Sequence, residues 1–325
     1  KSFLFILPFA LTAQNEVEMT YASFIERVME HHPRVFQADI VAESGDVGVL
    51  KARGGFDPKL EGSVQQKYFK NDQYYSLING GLKVPTWFGL TAKAGYDQNG
   101  GVYLNPMDRL PNSGLWYAGL ELELGKGLLM DERRAELKKA KLFQEGSKLE
   151  QTMIKNELVL EASIAYAEWL SAYFQKETFE VATENAETRL DGVRGMVEFG
   201  DRPYIDTVEA SIQWQTRLFG YNQAIMDLKN AEEKLQLYLW QEGVIPLELN
   251  NAIPAIIGSQ EFGGMFGKAL MQKDSLISSH PYILLNDLKL EQNEIDLRLK
   301  KEQLKPGLTL KYNALNEAVG NNPLA

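Results

Sequence analysis

Three groups of residues in this sequence have the types and spacing that a chemical site would need. Glu121 and Glu123 alternate along a predicted strand, which places both carboxylates on one face, as in a glycosidase cleft. His31 and His32 are neighbours that could ligate a metal ion. Residues 125–127 (Gly-Lys-Gly) are similar to a phosphate-binding loop, but no Ser or Thr follows the lysine. A water-facing strand explains the glutamates equally well, and a helix end explains the histidines better.

The composition excludes further classes of site. The 325 residues include no cysteine, which rules out disulfides, thiolate zinc sites and a cysteine nucleophile. Only three histidines are present, and no Gly-x-Ser-x-Gly motif or catalytic triad is found. The formal net charge of −10 argues against a nucleic-acid partner, because nucleic-acid binding requires a basic face. We therefore expect no enzyme activity, no cofactor and no bound metal.

The N-terminus resembles a signal peptide, which we assign to residues 1–13. Lys1 gives a positive end, and residues 3–11 form an apolar run of the right length. A buried N-terminal helix is the alternative, but Pro8 in the middle of the run weakens it. No other apolar run reaches about 18 residues, so any membrane crossing would be made by β-strands.

The elements that would position a site fall into blocks. Residues 20–53 predict a helix with Thr20 as N-cap and a kink or restart at Pro33. Residues 54–126 contain four segments of about ten residues in which apolar and polar side chains alternate, and Asn71-Asp72 predicts a turn. Such strands fit an outer-membrane barrel and also a soluble antiparallel sheet.

Residues 127–240 predict a long helical hairpin. Residues 128–199 contain no proline and keep a seven-residue apolar step, which predicts a helix of about 100 Å in a coiled coil or helical tube. A second helix follows a tight turn and repeats the same step. Its apolar positions are Ile205, Ile212, Phe219 and Met226.

The chain also contains an internal repeat. Residues 280–312 match residues 32–64 with an offset of 248, after a linker at residues 241–267. Residues 268–325 therefore predict the first helix and strand of a second repeat, and we expect the chain to be a truncated product. Two pairs of prolines, each 25 residues apart, define the repeat: Pro33 with Pro58, and Pro281 with Pro306.

This order of helix, strands, helical hairpin and linker, begun a second time, resembles the TolC-family outer-membrane efflux proteins. The segment from Gly200 to Leu239 looks like the family's hairpin tip and return helix. The matching positions are Pro203, Asp206, Ala210, Tyr221, Ala224, Asp227, Leu228, Ala231 and Leu235.

The resemblance implies a mixed α and β membrane protein, in which a trimeric outer-membrane β-barrel continues into a periplasmic α-helical coiled-coil tube built from two repeats. It implies a passive exit duct of a tripartite efflux or type I secretion system, driven by an inner-membrane pump. Family members usually have two strands per repeat, whereas four are predicted here. The partners implied are a homotrimer, outer-membrane lipid, and a periplasmic adaptor that contacts the tip residues Phe199, Gly200, Asp201, Arg202, Pro203 and Tyr204.

The resemblance also implies a gate. Asp206 matches an aspartate that helps to hold the family's channel mouth closed. Arg189 and Arg194 lie near enough in sequence to be its partners, although ordinary solvated helix charges explain both arginines. The alternative to a duct is a periplasmic coiled-coil scaffold or adaptor that binds partners without conducting. The strand block distinguishes the two, because a scaffold does not need it.

Overall fold

The computed structural model describes residues 17–249, 252–255 and 273–317. Outside the described residues lie the predicted signal peptide at residues 1–13, residues 250–251 and 256–267 of the predicted linker, and residues 268–272 and 318–325 of the predicted second repeat. Within the described ranges, no helix combines the length and the apolar character needed to cross a membrane.

Six α-helices and nine strands are present in the described ranges. The helices are α1 (Tyr21–His31), α2 (Pro33–Arg53), α3 (Glu132–Glu198), α4 (Tyr204–Gln236), α5 (Lys273–Ser278) and α6 (Pro281–Gln303). The strands are β1 (Val17–Met19), β2 (Lys59–Phe69), β3 (Asp72–Pro85), β4 (Leu90–Gly100), β5 (Leu115–Glu123), β6 (Trp240–Gln241), β7 (Ile245–Pro246), β8 (Ala252–Pro254) and β9 (Thr309–Glu317).

Contacts divide the chain into two units. The first contains the described residues of Lys1–Ile40 and Gln151–His280, and the second contains those of Val41–Glu150 and Pro281–Ala325. Helices α2 and α3 contribute to both units. The tip of the hairpin formed by α3 and α4 belongs to the first unit, and the large sheet belongs to the second.

The helix predicted over residues 20–53 is broken at Pro33. The hydroxyl of Thr20 accepts a hydrogen bond from the Ser23 N–H at 3.1 Å, so Thr20 is the N-cap of α1 as predicted. His32 is extended, with ψ of 133°, because a residue before proline is pushed out of the α region. Pro33 then begins α2 at a position where its missing N–H costs nothing.

The core of the first unit forms where α1 meets α3 and the end of α4. Phe24 and Val28 of α1 and Trp169 of α3 are buried members of one apolar cluster. The hydroxyl of Tyr166 donates to the Met19 carbonyl at 2.9 Å, which ties β1 to α3. The remaining buried members of this cluster are Val35, Leu158, Ala162, Ala165, Ala172, Ala231, Leu235 and Leu239.

His32 is a buried histidine at the break between α1 and α2. Its Nδ1 accepts a hydrogen bond from the Arg34 N–H at 3.1 Å, and its ring stacks 6.0 Å from that of Tyr238. Burial, and then the positive charge of Arg34, hold the pKa of His32 below its usual 6.5, despite the opposing effects of a hydrogen bond with the Leu237 backbone and of the Glu161 charge. The neutral imidazole is therefore the form that the fold stabilises.

We predict that mild acid destabilises the first unit through His32. Because the folded pKa lies below the unfolded value, the unfolded state binds more protons, and the free energy of unfolding falls as pH drops below about 6.5. The slope is at most about 1.4 kcal/mol per pH unit. Denaturant unfolding at pH 7, 6 and 5 should show that His32→Gln removes this part of the pH dependence. The matched change His31→Gln, at the partly exposed neighbour, should not; equal effects of both variants would contradict the assignment.

The second unit contains an antiparallel sheet in the order β2-β3-β4-β5-β9. The four segments predicted within residues 54–126 are its first four strands. The predicted turn at Asn71-Asp72 is wrong by one residue: Lys70 and Asn71 form it, with φ of 52° and 65°, because the two-residue hairpin requires positive φ at both positions. Strand β4 extends to Gly100, which pairs with Ser76 of β3.

The helices of the second unit approach each other closely at small residues. A Cβ added at Gly45 would lie 2.8 Å from the Gln144 Cα, so only glycine allows α2 to cross α3 at this point.

The buried Glu302 of α6 accepts a hydrogen bond from the Leu129 N–H at 3.2 Å and pairs with Lys305 at 2.6 Å. These contacts join α6 to the segment between β5 and α3.

The two segments of the internal repeat have the same structure. A helix begins at the first proline of each pair, Pro33 in α2 and Pro281 in α6. A strand begins just after the second proline, as β2 does after Pro58 and β9 after Pro306. The strand of the second segment joins the sheet of the first, since β9 pairs with β5 along nine residues.

Candidate functional site

The tip of the helical hairpin is closed by backbone hydrogen bonds. The N–H of Asp201 donates to the Met196 carbonyl at 2.9 Å, and the N–H of Gly200 donates to the Val197 carbonyl at 3.0 Å. With φ of +79° at Gly200, this is a Schellman motif, which satisfies the last carbonyls of α3. Pro203 then precedes the first turn of α4. The predicted tip, residues 199–204, is thus a defined turn.

The tip presents apolar side chains to solvent. Phe199 is 86% exposed and Tyr204 is 73% exposed, and they lie on either side of the turn. Ile205 is exposed beside Tyr204, and Met196 is exposed on the last turn of α3. Large apolar side chains grouped at an exposed turn are typical of a protein-contact surface.

Replacing either of two glycines near the tip by alanine should change the stability of the end of α3, in opposite directions. A Cβ at Gly200 meets no atom within 4 Å, so Gly200→Ala should weaken the helix end only through its left-handed backbone, by about 1 kcal/mol. Gly195 is equally uncrowded but helical, so Gly195→Ala should stabilise the same turn by a similar amount, about 1 kcal/mol. Hydrogen exchange of the last amides of α3 should accelerate about fivefold in the first variant and slow in the second. If the exchange rate changed in the same direction in both variants, the turn geometry would be contradicted.

The residues predicted as a possible gate have other partners within this chain. Asp206 accepts a hydrogen bond from Arg202 at 3.2 Å, in the first turn of α4. Arg194 pairs with Asp191 at 3.1 Å, and Arg189 donates to the Gln213 side chain at 3.0 Å. Arg202, predicted to contact the adaptor, is thus the partner of Asp206; it precedes Pro203 and lies outside α4, so no helical spacing in the sequence indicated the pair.

Part of the predicted seven-residue step is exposed on each hairpin helix. On α4, the apolar step residues are 66%, 59%, 73% and 63% exposed, in the order Ile205, Ile212, Phe219 and Met226. On α3, the exposed step residues are Leu160, Ala167, Phe174 and Val181. We call these two rows the α4 seam and the α3 seam. By contrast, the small residues Ala210, Ala224 and Ala231 of α4 are buried.

The sheet has one apolar and one polar face. Strand register aligns residues of five strands across the apolar face in rows such as Leu60, Leu82, Ala94, Ala118 and Ala314. The opposite face carries Glu61, Lys83, Lys93, Glu121 and Lys311, which form cross-strand ion pairs. Trp116 and Tyr96 pack together on the apolar face with ring centroids 4.8 Å apart.

The groups first considered for chemistry are engaged in structure. Glu121 pairs with Lys93 and Lys311, so its carboxylate is not free to act together with that of Glu123 on the same strand. Residues 125–127 join β5 to α3, and the Lys126 N–H donates to the Pro306 carbonyl at 3.0 Å. Within the described ranges, no cluster of three or more His, Asp or Glu residues could hold a metal ion.

One packing feature of the polar face was missed from sequence. The ring of Tyr117 covers Gly95, whose added Cβ would lie 2.6 Å from the Tyr117 Cζ, and its hydroxyl covers Gly81. Strand register sets these three residues in one row, because Gly81 lies opposite Gly95 and Gly95 lies opposite Tyr117. Gly-Gly at residues 80–81 and Gly95 were the only signals of this packing in the sequence.

The sequence matches no protein-family model and no curated protein. Its structure is similar to the Campylobacter jejuni CmeC outer-membrane channel, with a TM-score of 0.53 and 11% identity over 92% of this chain and 61% of that one. It is also similar to the outer-membrane protein VceC from Vibrio cholerae, with a TM-score of 0.55 and 12% identity over 92% of this chain and 68% of that one.

A third similar structure is the open state of the Neisseria gonorrhoeae MtrE outer-membrane channel, with a TM-score of 0.54 and 12% identity over 92% of this chain and 63% of that one. This chain thus spans about three fifths of the length of CmeC. At such identities the likeness concerns the fold. The resemblance seen in the sequence is confirmed at that level: the chain has the fold of the TolC-family outer-membrane channels.

Proposed function

We propose that this chain forms the outer-membrane exit duct of a tripartite efflux or type I secretion system. In this proposal three copies share one barrel, and their helices form a periplasmic tube. The observation that carries the proposal is the pair of uncovered seams on one hairpin, which implies a tube of packed helices. The fold shared with outer-membrane channels supports it.

The seams favour packing between copies. An apolar row with a seven-residue step needs a partner helix, because exposed rows of this length are costly in water. The α3 seam and the α4 seam lie on different helices, so the α4 seam of one copy can cover the α3 seam of the next. Repetition of such a contact by rotation closes a ring.

The two-faced sheet favours a barrel over a scaffold. A bilayer requires every backbone polar group to be paired, so the open edges β2 and β9 need partners from further strands or copies. The apolar face would then contact outer-membrane lipid, and the polar face would line water. A coiled-coil scaffold without a membrane has no use for this sheet.

The tip and Asp206 complete the proposal. Phe199 and Tyr204 would contact a periplasmic adaptor, which links the duct to an inner-membrane pump. Asp206 would act as a gate link, since its exposed pair with Arg202 is worth only about 0–1 kcal/mol and can be exchanged. Arg189 and Arg194 remain candidates as partners on a neighbouring copy.

Asp206→Asn should then raise the conductance of the closed channel, because the gate link would be lost. An unchanged conductance would show that Asp206 takes no part in the gate.

The test combines mass and conductance. The complete reading frame would be extracted from outer membranes in detergent and its mass measured by light scattering. We expect three copies, and we expect ion conductance after insertion into planar lipid bilayers. A monomer recovered from the soluble periplasm would overturn the duct and leave the scaffold. A trimer without conductance would overturn conduction alone.

A further inference from the structure

The polar face of the sheet carries lysines at an unfavourable spacing. Strand register places Lys59 opposite Lys83, and Lys83 opposite Lys93, so three neighbouring strands carry three lysines in one row. Like charges directly opposite each other destabilise a sheet. A fourth lysine, Lys311 on β9, lies in the next row opposite Glu121. Neither strand formation nor packing requires this arrangement.

We propose that Lys59, Lys83, Lys93 and Lys311, here called the lysine band, bind anionic solutes that carry phosphate or carboxylate groups. The proposal rests on the duct proposed above, because a water-filled interior is what brings solutes to this face. It goes beyond the duct by naming the chemical class of solute that the wall attracts.

The charges within the band do not cancel. Glu61 pairs with Lys83 at 2.6 Å, and Glu121 pairs with Lys93 and, at 3.8 Å, with Lys311. Four ammonium groups thus face two carboxylates in these rows, an excess of two positive charges. Lys59 makes no ion pair with any described residue. Glu123 bounds the band on the side where the sheet joins α3, one row beyond Glu121.

All four lysines of the band lie on one face of the sheet. The side chains of Lys311 and Lys83 are 59% and 43% exposed, so an anion could reach them. The corresponding rows on the other face hold Leu60, Leu82 and alanines, and no charge. The lysines are therefore confined to the face that water wets in the proposed duct.

The geometry suits anions with several oxygen atoms. Opposite residues on antiparallel strands have Cβ atoms about 5 Å apart, so two long lysine side chains can converge on one anion. Each ammonium group has three donors, and hydrogen bonds between charged partners are the stronger kind. A phosphate or carboxylate that bridges two lysines would relieve the repulsion built into the row.

Inorganic pyrophosphate is the probe for this proposal. We would titrate it into the detergent-purified full chain at low ionic strength and follow binding by calorimetry. We expect binding that weakens as salt rises, because salt screens charges at an exposed site. Lys59→Gln should weaken binding by at least about tenfold. The control Lys67→Gln lies on the same face of β2, eight residues away, and should leave binding unchanged. No binding, or equal effects of the two variants, would overturn the lysine band.

A second variant acts in the opposite direction and so cannot be mistaken for misfolding. Glu61→Gln removes the carboxylate that competes for Lys83, so it should tighten pyrophosphate binding. Weaker or unchanged binding in a folded Glu61→Gln protein would contradict the proposal. The two proposals fail separately. A protein that conducts ions but does not bind pyrophosphate overturns the band alone, and one that binds but does not conduct overturns the duct alone.

Discussion

Phe219→Glu should dissociate the assembly into single copies. Phe219 is the most exposed member of the α4 seam, at 73%, and the proposed contact between copies would bury it. Burial of a phenylalanine side chain contributes about 1.5–3 kcal/mol, and an unpaired carboxylate buried in its place adds a further penalty. The change is repeated at every contact around the ring. Light scattering of the detergent-extracted protein should therefore show monomers.

The control for this variant is Phe219→Leu, which keeps an apolar side chain at the same step and should preserve the oligomer. Circular dichroism should show the same helix content for wild type and both variants, since Phe219 packs little within its own chain. An oligomer that survives Phe219→Glu would mean that the α4 seam is not an interface. The duct would then have to be assembled through other surfaces.

Trp169→Ala should cause the largest loss of stability within one copy. Trp169 is fully buried, its ring centroid lies 5.7 Å from that of Tyr166, and it packs in the cluster that joins α1, α3 and α4. Replacing a buried tryptophan by alanine leaves a large cavity and costs about 3–5 kcal/mol. Guanidinium unfolding of the purified protein should show the midpoint at clearly lower denaturant.

The matched control removes a tryptophan from an exposed place. Trp87, on the turn between β3 and β4, is 75% exposed, and Trp87→Ala should change the unfolding free energy in detergent by no more than about 0.5 kcal/mol. Losses of equal size in the two variants would show that the core is not centred on Trp169.

The elements were predictable because their patterns are local. The seven-residue step marks both hairpin helices, and the alternation around residues 59–68 marks a strand whose faces the structure reproduces. The turn was misplaced because Lys70 is an unusual residue at positive φ, whereas Asn71-Asp72 has a typical turn composition. The preferences of single residues for turns cannot decide between Lys70-Asn71 and Asn71-Asp72, because the choice depends on the register in which the two strands pair.

Features that depend on contacts between distant residues were not predictable. The close approach of Gly45 to Gln144 joins helices about a hundred positions apart in the chain, and a helical glycine gives no sign of its neighbour. The opposition of Lys59, Lys83 and Lys93 requires the register of two strand pairs. The gate prediction for Asp206 came from resemblance, and the pair with Arg202 became visible only when the turn geometry was known.

At the hairpin tip, the backbone groups of the Schellman turn fold the chain, whereas the exposed side chains are available for contact with a partner. Backbone hydrogen bonds to the Met196 and Val197 carbonyls, with a glycine at position 200, fold the chain back on itself. The side chains of Phe199 and Tyr204 take no part in that folding, because they project into solvent. Mutation can therefore change them freely without unfolding the hairpin. In the proposed duct, where the tip contacts the adaptor, exchange of a few exposed side chains would then change the partner while the hairpin stays folded, and the same residues would be the ones to randomise in matching the duct to a different pump.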